Sequence, residues 1–253
     1  MSHAGRVYVG DRGEYDAHSF RLPSDAGHHV SRVMRARSGD TLDVFDANGR
    51  EARVTIRTIH RDEVDVEVGE RGWRDGVGAD ASRVTLLQGV PKGEKLETIV
   101  RQATELGVAS IRPVFTTRAI PRPGGATTRV DRLRSIAISA CEQCHRAVPP
   151  RIEDAVALDA SLAGLDAAIA FRLVAWEEGG ESLAQVASSA PPGPCAILVG
   201  PEGGLESREV ELARAYGFVA VTLGPRILRT ETVAPAMLTA LSILRGDLGA
   251  TRR

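Results

Sequence analysis

Two glycine-proline loops near the C-terminal end carry the residues best suited to hold a ligand. The first reads Leu198-Val199-Gly200-Pro201-Glu202-Gly203-Gly204-Leu205-Glu206-Ser207. Its three glycines let the backbone approach a ligand closely, Pro201 stiffens the entry, and Glu206-Ser207 opens a helix. It is not a Walker loop, because no Lys-Ser/Thr follows, and the spacing of Gly200, Gly203 and Gly204 is wrong for Gly-x-Gly-x-x-Gly. Taken alone, a strand-to-helix turn that merely needs glycines explains it equally well. The second loop, Leu223-Gly224-Pro225-Arg226-Ile227-Leu228-Arg229-Thr230-Glu231-Thr232, weakens that plain explanation. An ordinary turn would be polar, yet Ile227 and Leu228 sit between arginines just before a helix with Thr230 as the expected N-cap and Glu231 in its first turn. Apolar side chains beside exposed backbone amides suit an adenine ring, so the pair of loops points to a nucleoside pocket.

Other clusters are weaker. Cys141-Glu142-Gln143-Cys144-His145 matches Cys-x-x-Cys-His, and with Cys195 it offers three thiols and an imidazole. Cys141 and Cys144 fall at i and i+3 beside Ile138 and Ala140, which reads as small buried helix residues; no metal is expected. From Arg112 to Arg151 eight arginines (112, 118, 122, 129, 132, 134, 146, 151) face only Asp131 and Glu142, a local net of +6. A solvated face is the usual meaning of such a run, but arginines around Pro-Arg-Pro-Gly-Gly also suit phosphate contacts. A second basic cluster, Arg32, Arg35 and Arg37 with His28 and His29, lies near the N-terminus.

The elements that must position these residues change in texture along the chain. Residues 41–45, 52–56 and 64–68 alternate apolar and polar, and Asn48-Gly49 marks a tight hairpin turn, which predicts a small antiparallel barrel or meander. A short helix is expected over residues 28–35. Four glycines between 69 and 80 read as a linker, giving domains at 1–73 and 81–253 with 74–80 between them. Beyond it, strands at 84–88, 109–115, 168–175, 196–199 and 219–223 alternate with helices at 94–106, 129–145, 181–189, 206–216 and 230–245; residues 121–128 read as a loop. Such alternation predicts a parallel sheet covered on both faces, with ligands beyond the carboxyl ends of its strands. The two Gly-Pro loops then end what read as neighbouring strands.

Composition narrows the classes. The 253 residues are 43% hydrophobic and carry 32 basic against 33 acidic residues, a net charge of -1. Whole-chain disorder is excluded, and no overall field marks a nucleic-acid or membrane binder, so any nucleic-acid site is a local patch. The longest apolar runs fall far below the ~20 residues of a membrane span. With three cysteines and no apolar segment of signal-peptide length at Met1 to Arg6, a cytoplasmic location is expected. Only Lys92 and Lys95 are lysines.

Five blocks in order carry a family resemblance: Gly89-Val-Pro-Lys-Gly-Glu-Lys-Leu-Glu97, Ala103-Thr-Glu-Leu-Gly-Val108, Glu142-Gln-Cys-His-Arg146, Val199-Gly-Pro-Glu-Gly-Gly204 and Leu223-Gly-Pro-Arg-Ile-Leu-Arg-Thr-Glu-Thr232. With His28 to Arg35 as a sixth, they resemble the RsmE family of 16S rRNA (uracil-N3) methyltransferases over most of the chain. The resemblance implies an N-terminal PUA-like RNA-binding barrel and a C-terminal α/β SPOUT domain whose last strands and helix form a trefoil knot around S-adenosylmethionine. Nothing in the periodicity predicts a knot, and general fold rules would reject one. It further implies a homodimer acting on 16S rRNA of the small ribosomal subunit. The long C-terminal helix, apolar at Val233, Met237, Leu238, Leu241 and Leu244, could help bury the interface, although a core helix shows the same stripe.

Carried onto this chain, the cofactor-binding residues are Trp176 and Glu177; Val199, Gly200, Pro201, Glu202, Gly203 and Gly204; and Leu223, Gly224, Ile227, Leu228, Arg229, Thr230 and Thr232. Methyl transfer from a sulfonium needs no metal, so positioning dominates. The uracil N3 carries a hydrogen, so a base must remove it or a cation must stabilise the imide anion. Glu202 and Glu231 are the candidate bases, and Arg118, Arg146 and Arg229 the candidate stabilisers. Arg32, Arg35, Arg118, Arg122, Arg129 and Arg146 are the candidate RNA contacts. Two other readings stay open: a non-catalytic rRNA-binding or assembly factor, and a SPOUT enzyme with a different RNA target.

Overall fold

The structure is a computed structural model that describes residues 3–10, 18–76, 83–119, 130–189, 191 and 193–245. Its contacts divide the chain into residues 1–80 with 138–149, and residues 81–137 with 150–253.

The first unit holds β1 (His3–Tyr8), β2 (Ser19–Arg21), α1 (Ser24–His28), β3 (Thr41–Phe45), β4 (Arg50–His60), β5 (Glu63–Val68) and β6 (Arg74–Asp75). The sheet runs β1-β3-β4-β5-β2, with β6 on β4. The hairpin expected at Asn48-Gly49 joins β3 to β4, where Gly49 takes φ +79°. Two expectations change. The sheet is mixed rather than antiparallel, because β1 lies parallel to β3. Arg74 and Asp75, expected as linker, pair with Glu51 and Arg50. The helix expected over 28–35 starts earlier, after Pro23, and passes at His29–Val33 into a π-helical turn. Gly27 lets this earlier turn pack closely, because a Cβ there would meet the Asp62 carbonyl oxygen at 2.2 Å. Inward residues of the strands, among them Leu42, Val44, Val54, Ile56, Val64 and Val66, form this unit's core.

The second unit carries β7 (Val84–Gly89), α2 (Lys95–Glu105), β8 (Ser110–Phe115), α3 (Val130–Cys144), β9 (Arg151–Ile152), β10 (Val156–Ala157), α4 (Leu158–Ala163), β11 (Phe171–Ala175), β12 (Glu181–Ser182), α5 (Leu183–Ser188), β13 (Cys195–Val199), α6 (Ser207–Ala215), β14 (Val219–Thr222) and α7 (Thr230–Arg245). The contact division falls inside α3, after Ala137. Every pairing in this sheet is parallel, in the order β10-β8-β7-β13-β11-β14-β12 with β9 on β8. Neighbouring residues of one strand part to opposite faces: Leu86, Leu173, Ile197 and Val221 pack with α2, α5 and α7, whereas Leu87, Val174, Leu198 and Ala220 pack with α4 and α6. Burial on both faces is why these strands read as continuous apolar runs. Each fully buried leucine or isoleucine among them contributes about 1.5–3 kcal/mol relative to exposure.

The parallel sheet covered on both faces is the α/β architecture expected for the C-terminal part, and the mixed β-sheet stands where the small N-terminal barrel was expected. One detail differs: β13 and β14, which carry the two Gly-Pro loops, are not neighbours, because β11 lies between them. From β14 the chain returns over β13 and β7 in α7.

Candidate functional site

The carboxyl ends of β11, β13 and β14 face a cleft of about 460 Å³, built from the loop that follows each strand. The β11 loop supplies Trp176 and Glu177, and the β13 loop supplies Val199, Gly200, Pro201, Glu202 and Gly204. From the β14 side come Leu223, Gly224, Ile227, Leu228, Arg229 and Thr230. Two expected members are absent from the lining, Gly203 and Thr232. The Gly203 carbonyl instead accepts from Arg118 Nη1 at 2.8 Å. Thr232 and Glu231 line a separate, open groove along α7. Pro225 and Arg226, inside the second Gly-Pro loop, also line it, and sequence reasoning missed Lys95, Ala175, Thr222 and Val233, which complete the walls.

The loops are tied to the core by a residue that no motif marked. Gln88, fully buried at the end of β7, donates its amide to the Gly89 carbonyl at 3.0 Å and to Thr230 Oγ1 at 2.9 Å. The Thr230 hydroxyl donates in turn to the Gly200 carbonyl at 2.6 Å. Thr230 is therefore not the N-cap expected from its position; it is the first helical residue, and its hydroxyl joins the β13 loop to α7. The available signal was a lone amide in the otherwise apolar run Val84-Thr85-Leu86-Leu87-Gln88. A buried polar side chain in an apolar strand needs partners, and these supply them.

A second tie is ionic. Lys95 Nζ lies 3.0 Å from Glu202 Oε1 and 3.7 Å from Glu231 Oε2, spanning the β13 loop and the first turn of α7. Glu202 also accepts the Lys92 backbone N–H at 3.1 Å. Burial pushes the Glu202 carboxyl up, but its own amide, the Lys95 ammonium and the Lys92 amide outweigh that and hold it below its ordinary range. The hydrogen bond to Glu202 above all raises Lys95. These contacts to Lys92 and Lys95 anchor the β13 loop through Glu202, one of the two candidate bases.

The glycine cradle is tight at Gly204, which takes φ +70° and whose Cβ, were it present, would lie 2.4 Å from Glu177 Oε1. Behind the loop, Glu206 and Glu209 form a reciprocal capping box at the start of α6. Buried Glu209 also accepts from the Thr117 amide at 2.8 Å, fixing the turn after β8 that carries Arg118. Trp176 lies under the Arg214 guanidinium at 5.6 Å from the ring centroid.

The arginine-rich segment is less basic than its linear count suggests, because the fold brings carboxylates from outside it. Arg112 and Arg151 pair with Glu153, and Arg132 with Glu97. Of the candidate RNA contacts, Arg118 is half-exposed beside the cleft loop, whereas Arg146 is only 7% exposed, which removes it from the surface that phosphate contact requires. Arg122 and Arg129 lie outside the described residues. In the first unit Arg32 pairs with Asp62 at 3.1 Å, and exposed Arg35 takes φ +53°. Cys141 is fully buried, and burial above all pushes its thiol up to about 12, so it stays protonated and inert. Among the described residues no group of His, Cys, Asp and Glu could hold a metal ion.

Comparison with known proteins places this geometry. Residues 79–244 match the model of an RNA methyltransferase domain, and residues 22–69 that of an RNA methyltransferase PUA domain. The ribosomal RNA small subunit methyltransferase E of Bacillus subtilis is 33% identical over 247 residues, covering 92% of this chain and 94% of that protein. Its namesake from Mycobacterium bovis is 34% identical over 240 residues, covering 88% and 86%. A crystal structure of the Neisseria gonorrhoeae ribosomal RNA small subunit methyltransferase E bound to S-adenosyl methionine superposes with a TM-score of 0.84 at 28% identity, over 95% of this chain and 97% of that one. With the parallel sheet, its three-loop cleft and these matches together, the chain belongs to the ribosomal RNA small subunit methyltransferase E family of RNA methyltransferases.

Proposed function

We propose that this protein transfers a methyl group from S-adenosylmethionine to N3 of a uridine in 16S rRNA of the small ribosomal subunit. The observation that carries the reading is the three-loop cleft at the strand ends, in which the β13 loop and the start of α7 are locked to each other and to the end of β7 through Gly200, Thr230 and Gln88. A volume of about 460 Å³ is of the size that holds a small-molecule ligand. Gly200 and Gly204 bring backbone to its wall where a side chain would intrude. Ile227, Leu228, Leu223 and Val199 supply apolar surface for a flat ring, and polar backbone beside them can read its edge. The gonococcal relative, solved with S-adenosyl methionine, supports the same cofactor here.

The cofactor supplies an electrophilic methyl group on sulfur. The chain supplies placement: loops fixed by core hydrogen bonds hold the reacting partners in line, and well-oriented model reactions gain about 7–11 kcal/mol this way. Arg226 and Arg229, exposed at the mouth of the cleft, are the cations placed to stabilise an imide anion formed at the target base. Glu202 holds Lys95 and the β13 loop in place. Glu231 sits one helical position past Thr230, on the α7 groove side.

The enzyme acts as a homodimer in the cytoplasm. The α7 groove, with Pro235, Ala236, Ala240 and Ile243 in its wall and Ile243 and Leu244 exposed at 59% and 49%, supports pairing along this helix. No helix among the described residues is long and apolar enough to cross a membrane.

The test is transfer of a labelled methyl group from S-adenosylmethionine to small subunits taken from a strain lacking its own enzyme, followed by nucleoside mass spectrometry. The expected product is 3-methyluridine. Another methylated nucleoside would move the target to a different atom, and cofactor binding without any transfer would mean that the substrate is wrong.

A further inference from the structure

The first unit has a cleft of its own, of about 380 Å³, lined by Arg53, Gly69, Glu70, Arg71, Gly72 and Arg74. Two of its arginines are oriented from behind. Asp43 receives Arg53 Nε at 2.9 Å and Nη2 at 3.3 Å, which leaves Nη1 free of it. Glu51, itself held by buried Arg6 at 2.8 Å, receives Arg74 Nη2 at 2.9 Å, leaving Nε and Nη1. These carboxylates act as fixed brackets: they cost the arginines their rotamer freedom in advance while the remaining N–H donors stay available.

The third arginine is unspent. Arg71 is exposed, and among the described residues no partner is found for its guanidinium. It stands in a turn closed by the Gly72 N–H on the Gly69 carbonyl at 2.9 Å, with Gly72 at φ +62°. The turn is fastened to β4 by the Gly69 N–H on the Arg53 carbonyl at 2.9 Å. The amides of Glu70 and Arg71, between these two bonds, likewise have no partner among the described residues. Free backbone amides beside fork-shaped cations are the donors that hold phosphate oxygens. Neither the Arg112–Arg151 run nor the Arg32–Arg37 cluster includes these residues.

We propose that this cleft binds a backbone phosphate of the RNA substrate, with Arg71 as the principal contact and Arg53 and Arg74 as bracketed partners. The inference rests on the substrate being RNA and adds where the small unit grips it. Such a contact positions the substrate and reads no sequence. Glu70, the one carboxylate in the lining, opposes the anion, so the two neighbouring side chains act with opposite sign.

The test measures retention of small ribosomal subunits, and of a short single-stranded oligoribonucleotide, by the native protein, Arg71→Ala and Glu70→Gln across a salt series. Binding is read directly, so the result stands whichever nucleoside the enzyme makes. Arg71→Ala is expected to weaken RNA binding about fivefold and to flatten the log–log salt slope by roughly 0.7, the loss of one phosphate contact to a single strand. Glu70→Gln is expected to strengthen binding, and cofactor affinity is unchanged in both. Equal RNA affinity and salt slope in Arg71→Ala and the native protein would overturn the proposal. Saturable binding of inorganic phosphate, abolished by Arg71→Ala while RNA binding stays intact, would overturn it too, by assigning the cleft to a free anion.

Discussion

Replacing Gly204 with alanine tests the cradle, and replacing its neighbour Gly203 serves as the control. Gly204 sits at φ +70°, where an L side chain costs about 1–2 kcal/mol. Its new Cβ would also fall 2.4 Å from Glu177 Oε1, below any real contact, so the carboxylate must swing away from the cleft wall it shares. Because that oxygen ends a flexible side chain, the swing adds little to the stability cost, and its effect falls on the ligand. Gly203 lies outside the left-handed region, and its Cβ would meet Arg118 Cβ at 3.0 Å, a contact relieved by a shift of a few tenths of an ångström. Gly204→Ala should therefore lower the melting midpoint by roughly 2–8 °C, at about 2–4 °C per kcal/mol. It should also weaken S-adenosylmethionine binding about tenfold, equivalent to ~1.4 kcal/mol. Gly203→Ala should change affinity less than twofold. Calorimetric titration and a thermal melt of each variant decide the matter, and a Gly203 variant that loses as much affinity as the Gly204 variant would refute the assignment of which glycine faces the ligand.

Thr230→Val removes the hydroxyl between Gln88 and Gly200 at a site only 4% exposed, and should cost about 1–3 kcal/mol of unfolding free energy in denaturant titration, with weaker cofactor binding alongside. Lys95→Met leaves Glu202 and Glu231 without the cation they share, so the KM for S-adenosylmethionine should rise, while the melting midpoint moves little because the pair is solvent-exposed. Glu142→Gln should stabilise the protein at neutral pH. Burial above all raises the Glu142 carboxyl over its ordinary 4.5, so its contribution is fully present below that value and is lost as pH rises through the folded-state value. The variant's advantage in melting midpoint should thus vanish in acid, and an advantage that persists at low pH would contradict the sign.

Much of this fold was legible because its physics is periodic. Val84 to Leu87 and Ala196 to Val199 read as buried strands because both sheet faces are covered, and α7 was placed at its observed limits by its apolar spacing and the breakers before it. Sheet order was not legible: two Gly-Pro strand ends suggested neighbours, whereas β11 separates them, and local pattern carries no information about which strand lies between. The same limit hid the partners of the arginines. Counting charge along residues 112–151 gave a strongly basic patch, but Glu97 and Glu153 come from outside that window and take up three of its cations. Glu202 was visible as a carboxylate in a ligand loop, yet its role depends on Lys95, more than a hundred positions away. The cleft's walls were therefore readable as loops, and the groups that hold those loops together were not.

The paucity of lysine has a practical consequence. Both lysines of the chain lie within four residues of each other, and both touch Glu202, Lys92 through its amide and Lys95 through its ammonium. Apart from the α-amino group, every amine-directed reagent is thereby confined to one rim of the cleft. Lys92, exposed, should acylate first, and Lys95, its proton held by Glu202, more slowly. Amine acylation thus becomes a footprint with two positions: protection of Lys95 reports occupancy of the pocket it lines, without any engineered probe.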